Sequence, residues 1–252
     1  MLITGATAGI GKATALHFAR AGIHIVAAAR GTEAGRALVE EINGSGGEAT
    51  FVRADMNSER DIQEMVQVAT DVYGGLDFAF NNAGIFGVEA DLHEQDDDYW
   101  EQVLAVNLSG VYRCMKYEIA AMLDRQVEAD QICAVVNNAS TVGHRGSASS
   151  GAAYTASKHG VVGLTRQAAI DYAGTHIRIN AVAPGPTLTE ITAPILDLPE
   201  ENRTSHLAAL NPFAELVSAD EVAATVAFLC SGAAKMINGQ SIPIDGGQLA
   251  RL

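Results

Sequence analysis

Short runs of apolar residues, several rich in β-branched side chains or alanine, alternate with longer stretches in which apolar positions recur every three or four residues. An unbroken or period-two apolar run marks a strand, and a 3.6-residue period marks a helix. On that basis the chain predicts strands at Met1–Ile3, Ile23–Ala28, Ala49–Ala54, Leu76–Phe80, Ile132–Val136, Arg178–Val182 and Ser241–Ile244. Helices are expected from the first glycine turn through Ala21, over Glu33–Ile42, from Ser58 to Tyr73, over Asp98–Leu123 and Ala153–Tyr172, and from Ser218 to Leu229. Gly22, Gly44 and Gly74-Gly75 stop three of them, while Ser58 with Asp61 and Ser218 with Glu221 read as capping boxes. Alternation of this kind implies right-handed crossovers, hence an α/β fold: a single-domain, Rossmann-like, doubly wound parallel sheet with helices on both faces.

Thr4 ends the first strand after only three residues, against a usual length of ~5 to 6. That strand is central in a doubly wound sheet, which suggests that Met1 is not the native start or that a few residues have been trimmed. No Pro- or Ser-rich linker divides the 252 residues, so residues 1–252 read as one domain, and 48% hydrophobic content is ample for its core.

A formal net charge of -14 argues against nucleic acid and against anionic membrane as partners. Cys114, Cys133 and Cys230 lie far apart and leave an odd thiol in any pairing, as expected of core residues in a reducing compartment. No apolar run has the length of a membrane span and no basic-then-apolar leader precedes the glycine turn, so the expectation is a soluble, cytoplasmic protein. No His/Asp/Glu cluster has ligand spacing, and no metal site is expected.

Candidate chemistry begins at Thr4-Gly-Ala-Thr-Ala-Gly9-Ile-Gly11, between a strand and an alanine-rich helix. Gly5 permits a tight turn, Gly9 lets the backbone approach a pyrophosphate, and Gly11 lets the helix pack closely on the strand, with the helix N-terminus facing the phosphates. The spacing differs by one residue from the G-x-G-x-x-G fingerprint. Further along, Tyr154 and Lys158 stand four residues apart on one helix face. A neighbouring cation favours phenolate, so Lys158 is expected to pull Tyr154 down from ~10 toward working pH. Arg30, Asp55, Asn81-Asn82-Ala83-Gly84, Ser140 and Pro184-Gly185 each follow a strand. In such sheets ligands bind beyond the carboxyl ends of the strands, so together these residues suggest a lined cleft.

The chain resembles the short-chain dehydrogenase/reductase family over nearly its whole length. The resemblance rests on Thr4-Gly-x-x-x-Gly9-x-Gly11, Asp55, Asn81-Asn-Ala-Gly84, Asn107, Ser140, Tyr154-x-x-x-Lys158, Pro184-Gly185 with Thr189, and Asp245-Gly-Gly247, all in order. It implies a nicotinamide-dependent oxidoreductase interconverting a secondary alcohol and a ketone. Tyr154 would exchange the proton, Ser140 would hold the substrate oxygen, Lys158 would lower the Tyr154 pKa and bond the nicotinamide ribose, and Asn107 would hold a water linking Lys158 to solvent. Gly5, Thr7, Gly9, Ile10 and Gly11 would carry the pyrophosphate. Asp55, with Met56 beside it, would accept from the adenine amino group, and Asn82, Ala83 and Gly84 would shape the wall near the adenosine ribose. Pro184, Gly185, the Thr187 backbone and the Thr189 hydroxyl would lie at the carboxamide. Members of the family commonly place the serine one residue closer to the tyrosine, where this chain has Thr141. Ser140 in the run Val136-Asn-Asn-Ala-Ser140 is the preferred register, with one residue inserted within 147–151 and Thr141 in reserve.

Cofactor choice follows from charge. A carboxylate after the second strand would take the ribose hydroxyls of NAD, whereas a 2′-phosphate needs a cation. Here the run is Ala27-Ala28-Ala29-Arg30, which predicts NADP(H), with NAD(H) tolerated as the alternative. Residues 188–213 should close over the substrate as a lid, with Ile191, Ile195, Leu196 and Leu198 pointing to a hydrophobic or alicyclic alcohol or ketone, and His93, His144 and Arg145 bordering the entrance. The resemblance further implies a homotetramer in which the helices of Asn107 and Tyr154 pair across subunits, helped by Ala156, Gly160 and Gly163, with residues 248–252 at a subunit boundary. Two other readings are a dinucleotide-binding regulatory module without turnover, and a lyase or epimerase on the same fold.

Overall fold

In the computed structural model, which describes residues 1–87, 90–125, 132–189 and 192–251, the apolar runs pair into one sheet. Its strands are β1 (Leu2–Thr4), β2 (Ile25–Ala29), β3 (Ala49–Arg53), β4 (Phe78–Asn81), β5 (Cys133–Asn138), β6 (Ile177–Pro184) and β7 (Ser241–Ile244). All neighbours are parallel, in the order β3-β2-β1-β4-β5-β6-β7. Strand order therefore reverses between β1 and β4, and a crevice opens at their carboxyl ends.

The helices are α1 (Gly9–Arg20), α2 (Thr32–Gly44), α3 (Glu59–Tyr73), α4 (Asp97–Leu104), α5 (Val111–Leu123), α6 (Gly151–Asp171), α7 (Glu200–Leu210) and α8 (Ala219–Cys230). Successive residues of a strand serve opposite layers. Ile3, Ala27 and Phe80 pack with Phe18, Leu38 and Val222 of α1, α2 and α8, whereas Leu2, Val26 and Ala79 pack with Met65, Ile119 and Val161 of α3, α5 and α6. Because both faces are covered, the strands read as unbroken apolar runs. The three cysteines are free and buried in these layers. No described helix is long and apolar enough to cross a membrane.

Three features of the secondary structure differ from the sequence reading. Strands β4, β5 and β6 run on through Asn81, Asn138 and Pro184, residues that locally favour turns. The asparagines stay in the sheet because their amides bond across the strands, Asn81 Nδ2 to Asn137 Oδ1 at 3.0 Å and Asn138 Nδ2 to Asn82 Oδ1 at 2.9 Å. The predicted helix Asp98–Leu123 is two α-helices joined by a π-helical segment, Ala105–Gly110. Ser58 caps α3, but Asp61 is not a reciprocal partner: its carboxylate accepts from the Ser58 hydroxyl and from Asp55 N, and only Ser218 with Glu221 forms a full capping box. Gly160, expected to face another subunit, is filled from within, since a Cβ there would lie 2.7 Å from Leu108 Cδ1; Ala156 and Gly163 are exposed. At the tail, Arg251 donates to Ala208 O and Ala209 O at the end of α7, so this segment packs on its own chain. Leu252 and Ile191 lie outside the described residues.

Candidate active site

The glycine turn between β1 and α1 is closed by contacts that leave no room for side chains. Gly5 has φ +62°, and a Cβ on Gly11 would sit 2.1 Å from Gly5 O. Thr4 Oγ1 accepts from Asn82 N and Ala83 N, both at 3.0 Å, while Asn82 Nδ2 donates to Thr4 O and Gly5 O, both at 3.1 Å. The start of α1 has no side-chain cap and no acid in its first turn. Its leading N–H groups are thus left for an anion, the fit a pyrophosphate requires.

Beside the turn lies a cavity of about 410 Å³. Gly5, Thr7, Arg30, Asp55, Met56, Ala83 and Gly84 are among the residues that line it. Arg30 is exposed, and no carboxylate accompanies it after β2. Sequence reasoning missed Ile85, Gln102 and Val106 in the lining. Gln102 and Val106 are four apart, a helical-face signal that was available. Gly9, Ile10 and Gly11 form the helix start, and Asn82 braces the turn from behind; none of the four lines the cavity. A larger hollow of about 800 Å³ is lined by residues of α3 and α5 such as Gln63, Gln67, Tyr117 and Ala121, and contains none of the predicted site residues.

Pro184 ends β6 on the other side of the crevice, and Gly185, Thr187 and Thr189 follow it. The Thr189 methyl lies 3.5 Å from where a Gly9 Cβ would stand, which brings this segment against the glycine turn. Thr187 Oγ1 donates to Gly185 O, Thr192 Oγ1 donates to Thr187 O at 2.6 Å, and Thr189 N donates to Thr192 Oγ1 at 2.9 Å. The lid region holds a 3-10 turn, Ala193–Asp197, and α7, with Leu188, Leu196 and Leu198 exposed. Among the residues expected at the entrance, His144, Arg145 and His93 are all exposed, and His144 Nε2 pairs with Ser241 Oγ at 2.9 Å.

Tyr154 and Lys158 occupy the first turns of α6, and the Ser140 hydroxyl stands beside the Tyr154 phenol, whose ionised form it favours. Thr141 is 3% exposed, whereas Ser140 is partly exposed, accepts from Val142 N through its hydroxyl and is the one of the two that acts on the Tyr154 phenol. The expected depression of the Tyr154 pKa does not occur. Burial pushes the phenol up to about 12, opposed by the Ser140 hydroxyl, and burial lowers Lys158 to about 8. The Lys158 ammonium lies 5.5 Å from the Tyr154 ring centroid and donates instead to Asn138 O at 2.7 Å. Spacing put the two residues on one face, but desolvation outweighs their mutual attraction.

Asn107, in the π-helical segment, is fully buried. Its Oδ1 accepts from Ile85 N and its Nδ2 donates to Ile85 O, each at 2.8 Å. The wider turn holds this amide against a loop 22 residues away, and such π-bulges recur at functional sites. Phe86, which the sequence reading did not single out, lays its ring on Tyr154 with centroids 5.1 Å apart, and its carbonyl accepts from the Tyr99 hydroxyl. It is half exposed, giving the phenol an apolar flank open to the crevice.

A family model described as enoyl-(acyl carrier protein) reductase matches residues 5–248. Cyclohexanol dehydrogenase of Acinetobacter sp. (strain SE19) is 38% identical over 250 residues, covering 99% of this chain and 94% of that protein. Cis-4-hydroxycyclohexanecarboxylate dehydrogenase of Sinomonas cyclohexanicum is 38% identical over 252 residues, covering 99% and 96%. Among solved structures, a variant of actinorhodin polyketide ketoreductase with NADPH superposes with a TM-score of 0.89 at 34% identity, covering 98% of this chain and 95% of that one. Levodione reductase gives 0.88 at 34% identity, covering 100% and 97%.

Proposed function

Because the chain belongs to the short-chain dehydrogenase/reductase family and is an oxidoreductase acting on CH–OH groups, we propose that it interconverts an alicyclic secondary alcohol and its ketone with NADP(H). The observation that carries this reading is the Tyr154 phenol beside Ser140 with the buried Lys158 one turn on, whose ammonium lies 3.8 Å from the Cβ position of Gly84, a residue lining the cavity beside the glycine turn. A bound nicotinamide supplies the hydride in reduction and accepts it in oxidation.

The chain's own groups handle the proton and the geometry. A phenol held at about 12 is protonated at neutral pH and so is set to donate to a developing alkoxide. Ser140 donates to the same oxygen and orients it. Lys158 is anchored by Asn138 O, a position from which its remaining N–H bonds can reach a ribose. Asn107 fixes the Ile85 backbone, and with it Gly84, whose Cβ position is 3.2 Å from Asn107 Oδ1. Phe86 beside the phenol, with Leu188, Leu196 and Leu198 exposed in the lid, favours an apolar ring substrate. That class is in keeping with relatives named for cyclohexanol and hydroxycyclohexanecarboxylate. The preference for NADP(H) rests on Arg30 standing at the cavity directly after β2, where an NAD-binding acid would stand, while the cavity's carboxylate, Asp55, comes after β3; NAD(H) is the second cofactor.

We further infer a homotetramer, since Tyr112 and Leu123 of α5 and Ile170 of α6 are exposed, and a reducing cytoplasm, in keeping with three unpaired thiols. A sedimentation run giving only monomer would remove the tetramer. The activity is tested by following reduced-nicotinamide absorbance with NADPH and NADH against cyclic, aromatic and aliphatic ketones. Turnover is expected with cyclic ketones and NADPH, falling ~10²–10⁴-fold in Tyr154→Phe with cofactor binding retained. Equal turnover in Tyr154→Phe would overturn the assignment.

A further inference from the structure

One carboxylate of α5 points into the protein. Glu118 is 0% exposed, and its Oε2 accepts from Asn81 Nδ2 at 2.9 Å. The same amide nitrogen also donates to Asn137 Oδ1 at 3.0 Å, and Asn137 Nδ2 in turn donates to Thr165 Oγ1 of α6 at 2.9 Å. Two buried acceptors remain without a donor, Glu118 Oε1 and Asn81 Oδ1. Both belong to the pair already joined by one bond. An ionised Glu118 leaves that pair one hydrogen short in a place where each unpaired polar atom is costly.

We propose that Glu118 carries a proton on Oε1 and donates it to Asn81 Oδ1, closing a two-bond ring between a neutral carboxylic acid and an amide that braces the catalytic end of the sheet. The ring fixes the last residue of β4. From there Asn82 bonds Thr4 and Gly5 of the glycine turn and accepts from Asn138, whose carbonyl holds Lys158. Glu118 is therefore a positioning residue, three asparagines away from the ammonium.

The surroundings suit a neutral acid. Asn81 faces Glu118 from β4, Asn137 and Thr165 complete the network from β5 and α6, and Cys114 stands one turn earlier on α5. From α3, Glu59 is engaged with Lys116 and Tyr117 on the exposed side of α5. Burial lifts the Glu118 carboxyl from 4.5 to about 7, opposed only by the Asn81 N–H bond, with no cation contributing. A folded value above the unfolded one means that the stabilisation is fully present below 4.5 and is lost as pH rises through about 7.

Glu118→Gln tests this directly, because its amide supplies a permanent donor and acceptor and cannot ionise. Melting curves of the two proteins should coincide near pH ~5 and separate by about 5–10 °C in favour of the variant near pH ~8. A separation that does not change with pH overturns the proposal. Difference infrared spectra of the folded wild type below neutral pH should contain a protonated carboxylic carbonyl that Glu118→Gln lacks; its absence, as when a buried water supplies the missing hydrogens to a carboxylate, also overturns it. Neither readout needs turnover, so both stand or fall apart from the oxidoreductase reading. The positioning role does rest on that reading. It predicts a step down in wild-type reductive kcat through pH ~7, with KM little changed, that Glu118→Gln does not show. Identical profiles would refute the positioning role.

Discussion

Lys158→Met should make the protein more stable while removing its activity. Lys158 is 4% exposed and its ammonium has one protein partner, Asn138 O at 2.7 Å. Burial lowers its pKa from 10.5 to about 8, so at ~1.36 kcal/mol per pH unit the charge costs the folded state about 3 kcal/mol at neutral pH. Methionine of similar length removes that cost but leaves the Asn138 carbonyl without its donor, worth ~1–3 kcal/mol. The net gain is about 0–2 kcal/mol near pH 7, a rise in Tm of up to ~8 °C for a chain of this size. The pH dependence carries the sharper test. Between about 8 and 10.5 the unfolded lysine keeps its proton while the folded one has released it, so wild-type stability climbs through that window and the variant's does not. Calorimetry at pH ~7 and ~10 should therefore show the gap closing, with turnover reduced ~10²-fold or more at both. A variant less stable at pH 7, or a gap that stays constant, would refute the reasoning.

Four further substitutions separate the roles assigned above. Ser140→Ala should lower reductive kcat ~10²-fold, because its hydroxyl stands beside the Tyr154 phenol, whereas Thr141→Ala should keep most of the activity; the reverse order in steady-state assays would show the wrong register. Arg30→Asp puts a carboxylate at the cavity in place of the guanidinium, and a charge-assisted bond of ~1.5–3 kcal/mol predicts a loss of ten-fold or more in NADPH affinity with NADH binding maintained, read by fluorescence titration. Gly11→Ala forces a methyl to within 2.1 Å of Gly5 O, so α1 must retreat from the turn; isothermal titration should find cofactor binding lost, and wild-type affinity would mean that the close approach is not required.

The sequence exposed those parts of the site that depend on local chemistry. Glycines at 5, 9 and 11, the Tyr154–Lys158 spacing and the strand-helix alternation each express a short-range rule, and the glycine turn, helix face and parallel sheet lie where that rule puts them. What escaped depends on residues far apart in the chain. Asn81 and Asn138 look like turn formers until their amides meet across β4 and β5, and the π-helical segment at Asn107 depends on the backbone of Ile85. Spacing could place Lys158 beside Tyr154, but not reveal that both would be desolvated and that Asn138 would take the ammonium. Glu118 gave no signal at all, since a glutamate in a helix reads as a surface residue until the helix is docked.

The amide of Asn82 bonds the backbone of Thr4 and Gly5 across 78 and 77 residues of chain. The turn is thus made long before it gains this fastening: Ala6 N can reach Ala28 O once β2 is in place, but the Asn82 bonds wait until β4 has been made and has paired with β1. A ribosome must release at least the first third of the chain before a nucleotide can be gripped, and well over half before Asn138 and Lys158 join. Nucleotide present during synthesis can therefore trap a partly built half-sheet, and would act as a template for assembly before it ever serves as a reactant.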